Sequence, residues 1–323
     1  MQEKIRIPKS VQDLLCCPIC YAKLMILENK QFICINSKCA AHFPIVAGIP
    51  VLLNDKLSIF SIDDFVSYKK PFAVGIGENI KKIIRFFIPT ISRNIKADEN
   101  YSRLINLLQK QSITPRILVI GGGTLGQGME TLVNNKSLVL VESDVSFGPR
   151  TGLICDAHNI PFMNESFDCV IAQAVLEHVV DPNRCVEEIH RVLNENGLVY
   201  AETPFMQQVH CAPYDFTRFT FLGHRRLFRR FEEIDSGAGS GPGMALAWSY
   251  QSFLLSFTAS RIMIKLVGIF ARLTSFYFKY FDYYLINKPK TLDYASGLYF
   301  MGRKGKQILS DRDLIKLYKG SCQ

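Results

Sequence analysis

The sequence predicts an α/β protein built on a doubly wound, mostly parallel sheet, with a small cysteine-rich module ahead of it and an apolar helical insertion near its end. Three observations lead there. Short runs rich in Val, Ile and Leu alternate with helical patterns between residues 116 and 205, the signature of β-turn-α units packed into a parallel sheet. The first run, Ile117-Leu118-Val119-Ile120, opens directly into Gly121-Gly122-Gly123-Thr124-Leu125-Gly126, a turn that lets the backbone approach a cofactor closely. Half of the ten cysteines lie before residue 40.

With 323 residues the chain is long enough for two domains, and its 48% hydrophobic content predicts a sizeable core and excludes wholesale disorder. The formal net charge of +9 favours an anionic partner such as nucleic acid, a phospholipid surface or a phosphorylated substrate, without choosing among them. The opening MQEKIRIPKS has no apolar stretch of the secretory type. A reducing cytoplasm is therefore the expected setting, with the inner membrane surface as a peripheral location, and a disulfide framework is not expected.

Residues 1–55 read as one module. Cys17 and Cys20 form a C-x2-C knuckle, and Cys34 and Cys39 a C-x4-C knuckle. Two such turns can converge four thiolates on one tetrahedral zinc ion. A unit of this size buries too little surface to be secure alone, so a structural metal makes physical sense. A redox C-x-x-C would sit at a strand-to-helix turn, and no βαβ pattern surrounds this one. Cys16 is out of register with the knuckle, and His42 is a spare ligand or, more simply, a solvent-facing residue. LLCCPICYAKL, CINSKC and FPIVAGIPVLL together resemble the small zinc-ribbon domains found beside or fused to methyltransferases. In those, the last segment forms a strand and turn that close the ribbon.

Residues 56–112 read as a helical linker. In ENIKKIIRFFIP, Ile80, Ile83, Ile84, Phe87 and Ile88 share one helical face, with Lys81, Lys82 and Arg85 on the other, and Pro89 ends the pattern. A second helix, ENYSRLINLLQKQ, leads into residues 113–305.

There, the strand SLVLVESD follows the glycine turn and ends in acids, Glu142 and Asp144, about 20 residues on; such an acid can hold both ribose hydroxyls. LICDAHNIPF, the strand FDCVIAQ, AVLEHVVDP, the helix PNRCVEEIHRVL and the strand NENGLVYAETPF come next. This order resembles class I S-adenosylmethionine-dependent methyltransferases from about residue 116 to 205, with a closing strand in SGLYFMGRK. The resemblance implies a Rossmann-like sheet and S-adenosylmethionine as cofactor. It places Gly121, Gly123 and Gly126 along the methionine part, Glu142 or Asp144 on the ribose, Asp156 with Ala157 at the adenine edge, and Gln173 beside the cofactor. Val119 departs from the pattern, because the family carries an acid two residues before the first glycine.

Methyl transfer is an in-line displacement, so the enzyme must align an acceptor and sometimes remove its proton. In MQQVHCAPYDFTRFT, the residues His210, Tyr214, Asp215 and Arg218 crowd a segment expected to cap the cofactor. His210 is the candidate general base, Arg218 the candidate anchor for an anionic group, and Tyr214 completes the set; a purely structural lid accounts equally well for these residues. His178, in LEHV, is read as a cofactor-pocket residue. ETPF stands where enzymes acting on base or glutamine amino groups would carry an N-P-P-Y-type motif, which argues against those acceptors.

Residues 244–290 are strongly apolar, yet the longest uncharged run, Met244 to Ser260, is too short and too polar for a membrane span. Arg261, Lys265, Arg272 and Lys279 fall within roughly 40° of one helical direction at about 100° per residue. GAGSGPG ahead of them reads as a flexible break. The stripe suits a helix packed in the fold or in a homo-oligomer, or one lying on an anionic membrane. Residues 306–323 read as a tail. The expected function is methyl transfer to a small-molecule, glycan or lipid-linked acceptor. An rRNA or tRNA methyltransferase and a non-catalytic cofactor-binding scaffold are the rival readings.

Overall fold

The computed structural model describes residues 4–28, 30–67 and 88–321. The basic helix read at residues 78–89 lies almost wholly outside them, as does Cys322. After a short helix α1 (Lys9–Gln12), strands β1 (Leu24–Leu27), β2 (Gln31–Cys34), β3 (His42–Val46) and β4 (Ile49–Pro50) form an antiparallel sheet in chain order. Ala47 and Gly48 join β3 to β4 with φ of 51° and 75°, the two-residue turn in which both positions are left-handed. A side chain at Gly48 would strike the Lys4 carbonyl at 2.6 Å.

This ribbon is fused to the rest of the molecule. Leu52 N–H donates to the Ile154 carbonyl (2.9 Å), Cys16 N–H to Pro161 (3.0 Å) and Met163 N–H to Leu14 (2.9 Å). Ile7, Leu15, Phe32, Phe43 and Leu52 share one buried cluster with Leu118, Val141, Leu153 and Phe162. Helix α2 (Ile62–Val66) follows, started by a reciprocal capping box between Ser61 and Asp64.

Helix α3 (Ala97–Gln111) buries Ala97, Tyr101, Leu104, Ile105 and Leu108, the 3-to-4 spacing of one helical face, against the main sheet. That sheet comprises β5 (Arg116–Ile120), β6 (Val139–Asp144), β7 (Leu153–Ile154), β8 (Phe167–Gln173), β9 (Leu193–Pro204), β10 (Phe231–Ser240) and β11 (Gly297–Lys304). Helices α4 (Glu130–Val133), α5 (Pro182–Val192) and α6 (Phe221–Leu227) connect them. The order is β10-β11-β9-β8-β5-β6-β7, with β5 to β9 parallel and β11 antiparallel to both neighbours. This is the mostly parallel, seven-stranded sheet of the class I methyltransferase fold. The chain winds outward from β5 in both directions, so the carboxyl ends of β5 and β8 flank the switch point where ligands bind in such sheets.

The apolar insertion does sit between the last two strands, as α7 (Pro242–Leu255), α8 (Arg261–Ser275), α9 (Phe278–Leu285) and α10 (Thr291–Tyr294); helix α11 (Asp311–Lys316) follows β11. Two expectations change. GAGSGPG is no flexible break: residues 237–240 pair with β11, and Pro242 starts α7 at its first turn. The cationic stripe also loses a member. The chain turns between α8 and α9, and Lys279, only 5% exposed, donates to the Thr90 carbonyl. Gly268 has open space around it and lies within α8 without interrupting it. Of the scattered cysteines, Cys155, Cys169 and Cys185 are buried free thiols and Cys211 is exposed.

Candidate active site

A cavity of about 380 Å³ opens at the carboxyl ends of β5, β8 and β9. Its walls include Gly121, Gly126, Gln173, Glu177, Glu202 and His210. The volume lies in the range of small-molecule sites. Several buried polar atoms here have no hydrogen-bond partner among the described residues: Gln173 Oε1, Thr203 Oγ1 and both carboxylate oxygens of Glu177. Such groups are rare in native interiors, and their concentration on one cavity marks a place built for a ligand.

The glycine turn forms one wall. Gly121 has φ of 70°, and a side chain there would meet Val175 Cγ2 at 2.4 Å. At Gly126 a Cβ would lie 1.7 Å from Gln173 Oε1. Gln173 Nε2 in turn donates to the Gln127 carbonyl (3.0 Å) and to Glu202 Oε2 (2.9 Å). Glu202 also accepts from Asn94 Nδ2 (2.7 Å) and Tyr200 Oη (2.5 Å). Burial raises its pKa, against the pull of those three donors. Glu202 was not singled out in the sequence: its only signal was ETPF, read as the absence of another motif.

The acids expected near ribose and adenine line no part of this cavity. Asp144, at the end of β6, accepts from Gly123 N–H (2.9 Å) and from Ser146 N–H and Oγ (2.9 and 2.8 Å). Glu142 is committed to Arg150 Nε at 2.6 Å, and burial raises its pKa despite that partner. Asp156 is buried beside Ala157, with Ser58 Oγ at 2.5 Å on one oxygen and His158 N–H and Nδ1 at 2.9 and 2.5 Å on the other. Burial opposes its ionisation, but the bonds from His158 and Ser58 prevail and lower its pKa. Ser58 belongs to the segment leaving the ribbon, so that segment and Asp156 are physically coupled.

Glu177 and His210 also line the cavity, and with His178 they form a cluster of which the sequence showed only the two histidines. His210 Nε2 and His178 Nε2 each lie 3.7 Å from Glu177 Oε1. Glu177 is 0% exposed. It precedes His178 in LEHV, directly after β8, and that position was the available signal. His178 Nδ1 faces the Tyr214 carbonyl at 2.5 Å, and His210 Nδ1 the Gln208 carbonyl at 3.3 Å. Arg218 does not reach the cavity. Its guanidinium pairs with Asp215 (Nη2–Oδ2 2.7 Å) and donates to the Gln207, Gln208 and Thr217 carbonyls. It braces the capping loop, and it holds the Asp215 carboxyl down at a pKa of about 2. The Tyr214 ring packs on Phe60 with centroids 5.6 Å apart, so this residue's contact with the cluster is its backbone carbonyl.

Outside the lining of this cavity, the Sγ atoms of Cys17, Cys20, Cys34 and Cys39 all lie within 4.8 Å of one another and could hold a metal ion. Tyr21 and Ala40, each directly after the second cysteine of a knuckle, are left-handed (φ 58° and 45°), which turns each loop back upon the cluster. Cys16 stands apart: it is fully buried, and burial pushes its thiol up to about 12. His42 is exposed.

Residues 131–201, from α4 into β9, match the family model described as methyltransferase domain. No curated protein sequence matches the chain. Solved structures of similar fold include a Galdieria sulphuraria protein proposed to be a sarcosine dimethylglycine methyltransferase. It is 13% identical, with 66% of this chain and 87% of that one covered at a TM-score of 0.44. Another is Haemonchus contortus phosphoethanolamine N-methyltransferase 2, solved with S-adenosyl-L-methionine: 14% identical, 77% of this chain and 61% of that one covered, TM-score 0.42.

Proposed function

We propose that this class I S-adenosylmethionine-dependent methyltransferase acts on a hydroxyl group of a glycan or lipid-linked acceptor. The observation that carries the reading is that Glu177 and His210 line the same cavity as the glycine turn, with His178 beside Glu177. A neutral amine needs no base to attack a methyl group, whereas a hydroxyl must give up its proton or have its charge stabilised. A buried carboxylate backed by two imidazoles is suited to the second task.

The residues present fit the cofactor. Gly121, Gly126 and Gln173 would border its methionine part, with Glu202 fixing Gln173. Asp144 suits the ribose better than Glu142, which Arg150 already holds. Asp144 and Asp156 would exchange their present donors, Gly123, Ser146 and Ser58, for the ribose hydroxyls and the adenine amino edge. Bound there, S-adenosylmethionine supplies an electrophilic methyl group on a sulfonium. The loop 207–218, braced by Arg218, closes the acceptor side and keeps water from it.

The four thiolates suit zinc, whose closed tetrahedral site would be structural and take no part in the transfer. Helices α7 to α9 suit an anionic bilayer carrying the acceptor. Phe257 and Tyr284 are 75% and 72% exposed, Phe253, Ile262, Leu266, Phe270 and Phe281 are exposed with them, and Arg261 and Lys265 stand among them. Helix α8 contains no acidic residue. Aromatic and aliphatic side chains mixed with cations are what an interfacial helix presents to anionic headgroups. Among the described residues no helix is long and apolar enough to cross a membrane.

The test is transfer of a radiolabelled methyl group to fractionated extract, with Asp156→Ala as the control. Label in the glycan or glycolipid fraction that disappears with the variant supports the reading. Label confined to RNA sinks it.

A further inference from the structure

We propose that Glu177, His178 and His210 form a divalent-cation site that holds the acceptor's hydroxyl oxygen in the cavity. The inference rests on the hydroxyl-acceptor reading and names the device that serves it.

The cluster's donor atoms lie within 4.8 Å of one another. The hydrogen-bond pattern shows which imidazole nitrogens face the cluster. A carbonyl oxygen only accepts, so His178 Nδ1 carries the hydrogen that faces Tyr214, and His210 Nδ1 carries the one that faces Gln208. Asp215 Oδ2, 3.6 Å from His210 Nδ1, asks for the same hydrogen. The guanidinium of Arg218, 3.4 Å from that nitrogen, is already engaged by Asp215 and by backbone carbonyls. Both Nε2 atoms are thus left facing Glu177 Oε1, bearing a lone pair when the ring is neutral and a hydrogen when it is protonated.

At 3.7 Å these contacts are too long for hydrogen bonds, and neither Glu177 carboxylate oxygen has a hydrogen-bond partner among the described residues. A wholly buried carboxylate facing two Nε2 atoms needs positive charge beside it. A divalent cation at their centre supplies that charge in place of ring protons. Donors bound about 2.1 Å from one ion at tetrahedral angles stand about 3.4 Å apart, against 3.7 Å for each Nε2–Oε1 contact and at most 4.8 Å across the set. The Nδ1-to-carbonyl bonds are the outer contacts that fix ligating imidazoles. Two imidazoles and one carboxylate suit a first-row divalent ion better than calcium or magnesium. Three protein ligands leave positions open on the cavity side, which one hydroxyl, or two adjacent ones as in a sugar diol, would fill.

The experiment uses the full chain with zinc in its cysteine site and Mn2+ as the probe, because thiolates are poor ligands for manganese. Electron paramagnetic resonance should show one Mn2+ bound per chain, with modulation from two imidazole nitrogens. Glu177→Gln and His178→Asn, each checked for native circular dichroism, should weaken binding more than about tenfold, while Cys16→Ser should not. No bound Mn2+, or bound Mn2+ without nitrogen modulation, overturns the site; the wild-type spectrum alone decides this if a variant misfolds. Methylation of a hydroxyl acceptor that proceeds undiminished without the divalent ion, yet is lost in His210→Ala, overturns the cation and leaves the acceptor reading standing. Nitrogen-coupled Mn2+ in a chain that labels only RNA does the reverse.

Discussion

Gly126→Ala places a methyl group where the structure has no room. The new Cβ would stand 1.7 Å from Gln173 Oε1, 2.8 Å from its Cδ and 3.1 Å from Met129 Sδ. The amide end of Gln173 must swing away, and that breaks the Nε2 bonds to Glu202 (2.9 Å) and to the Gln127 carbonyl (3.0 Å). A bond to a charged acceptor contributes about 1.5–3 kcal/mol and a neutral one about 0.5–1.5 kcal/mol. Glu202 keeps Tyr200 and Asn94, so part of the first is retained. A net loss of about 2–3 kcal/mol follows, or roughly 4–10 °C in Tm for a domain of this size. If Gln173 borders the cofactor, S-adenosylmethionine affinity should fall about 10- to 100-fold, the equivalent of one to two tenfold steps. Differential scanning fluorimetry with and without cofactor, beside isothermal titration, measures both. A Gly126→Ala chain with wild-type Tm and wild-type affinity would refute the reasoning, since nothing else at that position can absorb the clash.

His224 lies buried among Phe219, Phe228 and Phe300 with Nε2 unpartnered, and burial, aided by Arg225, lowers its pKa from about 6.5 to about 3. Below pH 6.5 the unfolded chain takes up a proton here and the folded chain does not, so stability falls with pH by about 1.4 kcal/mol per unit down to about pH 3; urea melts of His224→Phe should show a slope shallower by one proton, and an unchanged slope disproves the assignment. Cys20→Ser should lose bound zinc and lower Tm by several degrees, whereas Cys16→Ser should keep its zinc; equal metal content in both by mass spectrometry would contradict the four-thiolate site. Arg261→Glu with Lys265→Glu should abolish flotation with anionic liposomes at low salt while leaving Tm within about 2 °C, because surface charges contribute little to stability; flotation that persists argues against the bilayer surface.

Local patterns in the chain were enough to define the sheet and the cysteine cluster. Apolar runs such as Ile117–Ile120 and Cys169–Ala172 read as buried strands because strands covered on both faces carry apolar residues at every position. The two knuckles read as one site because metal-ligand spacing is set within a few residues of chain. The order of turn, acid and strand from Gly121 to Pro204 was legible for the same reason. What the sequence could not supply is whatever depends on distant segments meeting. Glu177 and His210 are 33 positions apart, and only the return of the 207–218 loop over the end of β8 brings them to 3.7 Å. Glu202 became visible through its partners Asn94 and Gln173, which arrive from α3's leading turn and from β8. The proposal of Asp144 over Glu142 for the ribose rests on Arg150's bond to Glu142, which the sequence did not show. Lys279 had the spacing of an exposed cation, but the turn after α8 rotates it inward onto Thr90. Helical periodicity follows from the 3.6-residue repeat alone, whereas which face meets water follows from where the neighbouring elements pack.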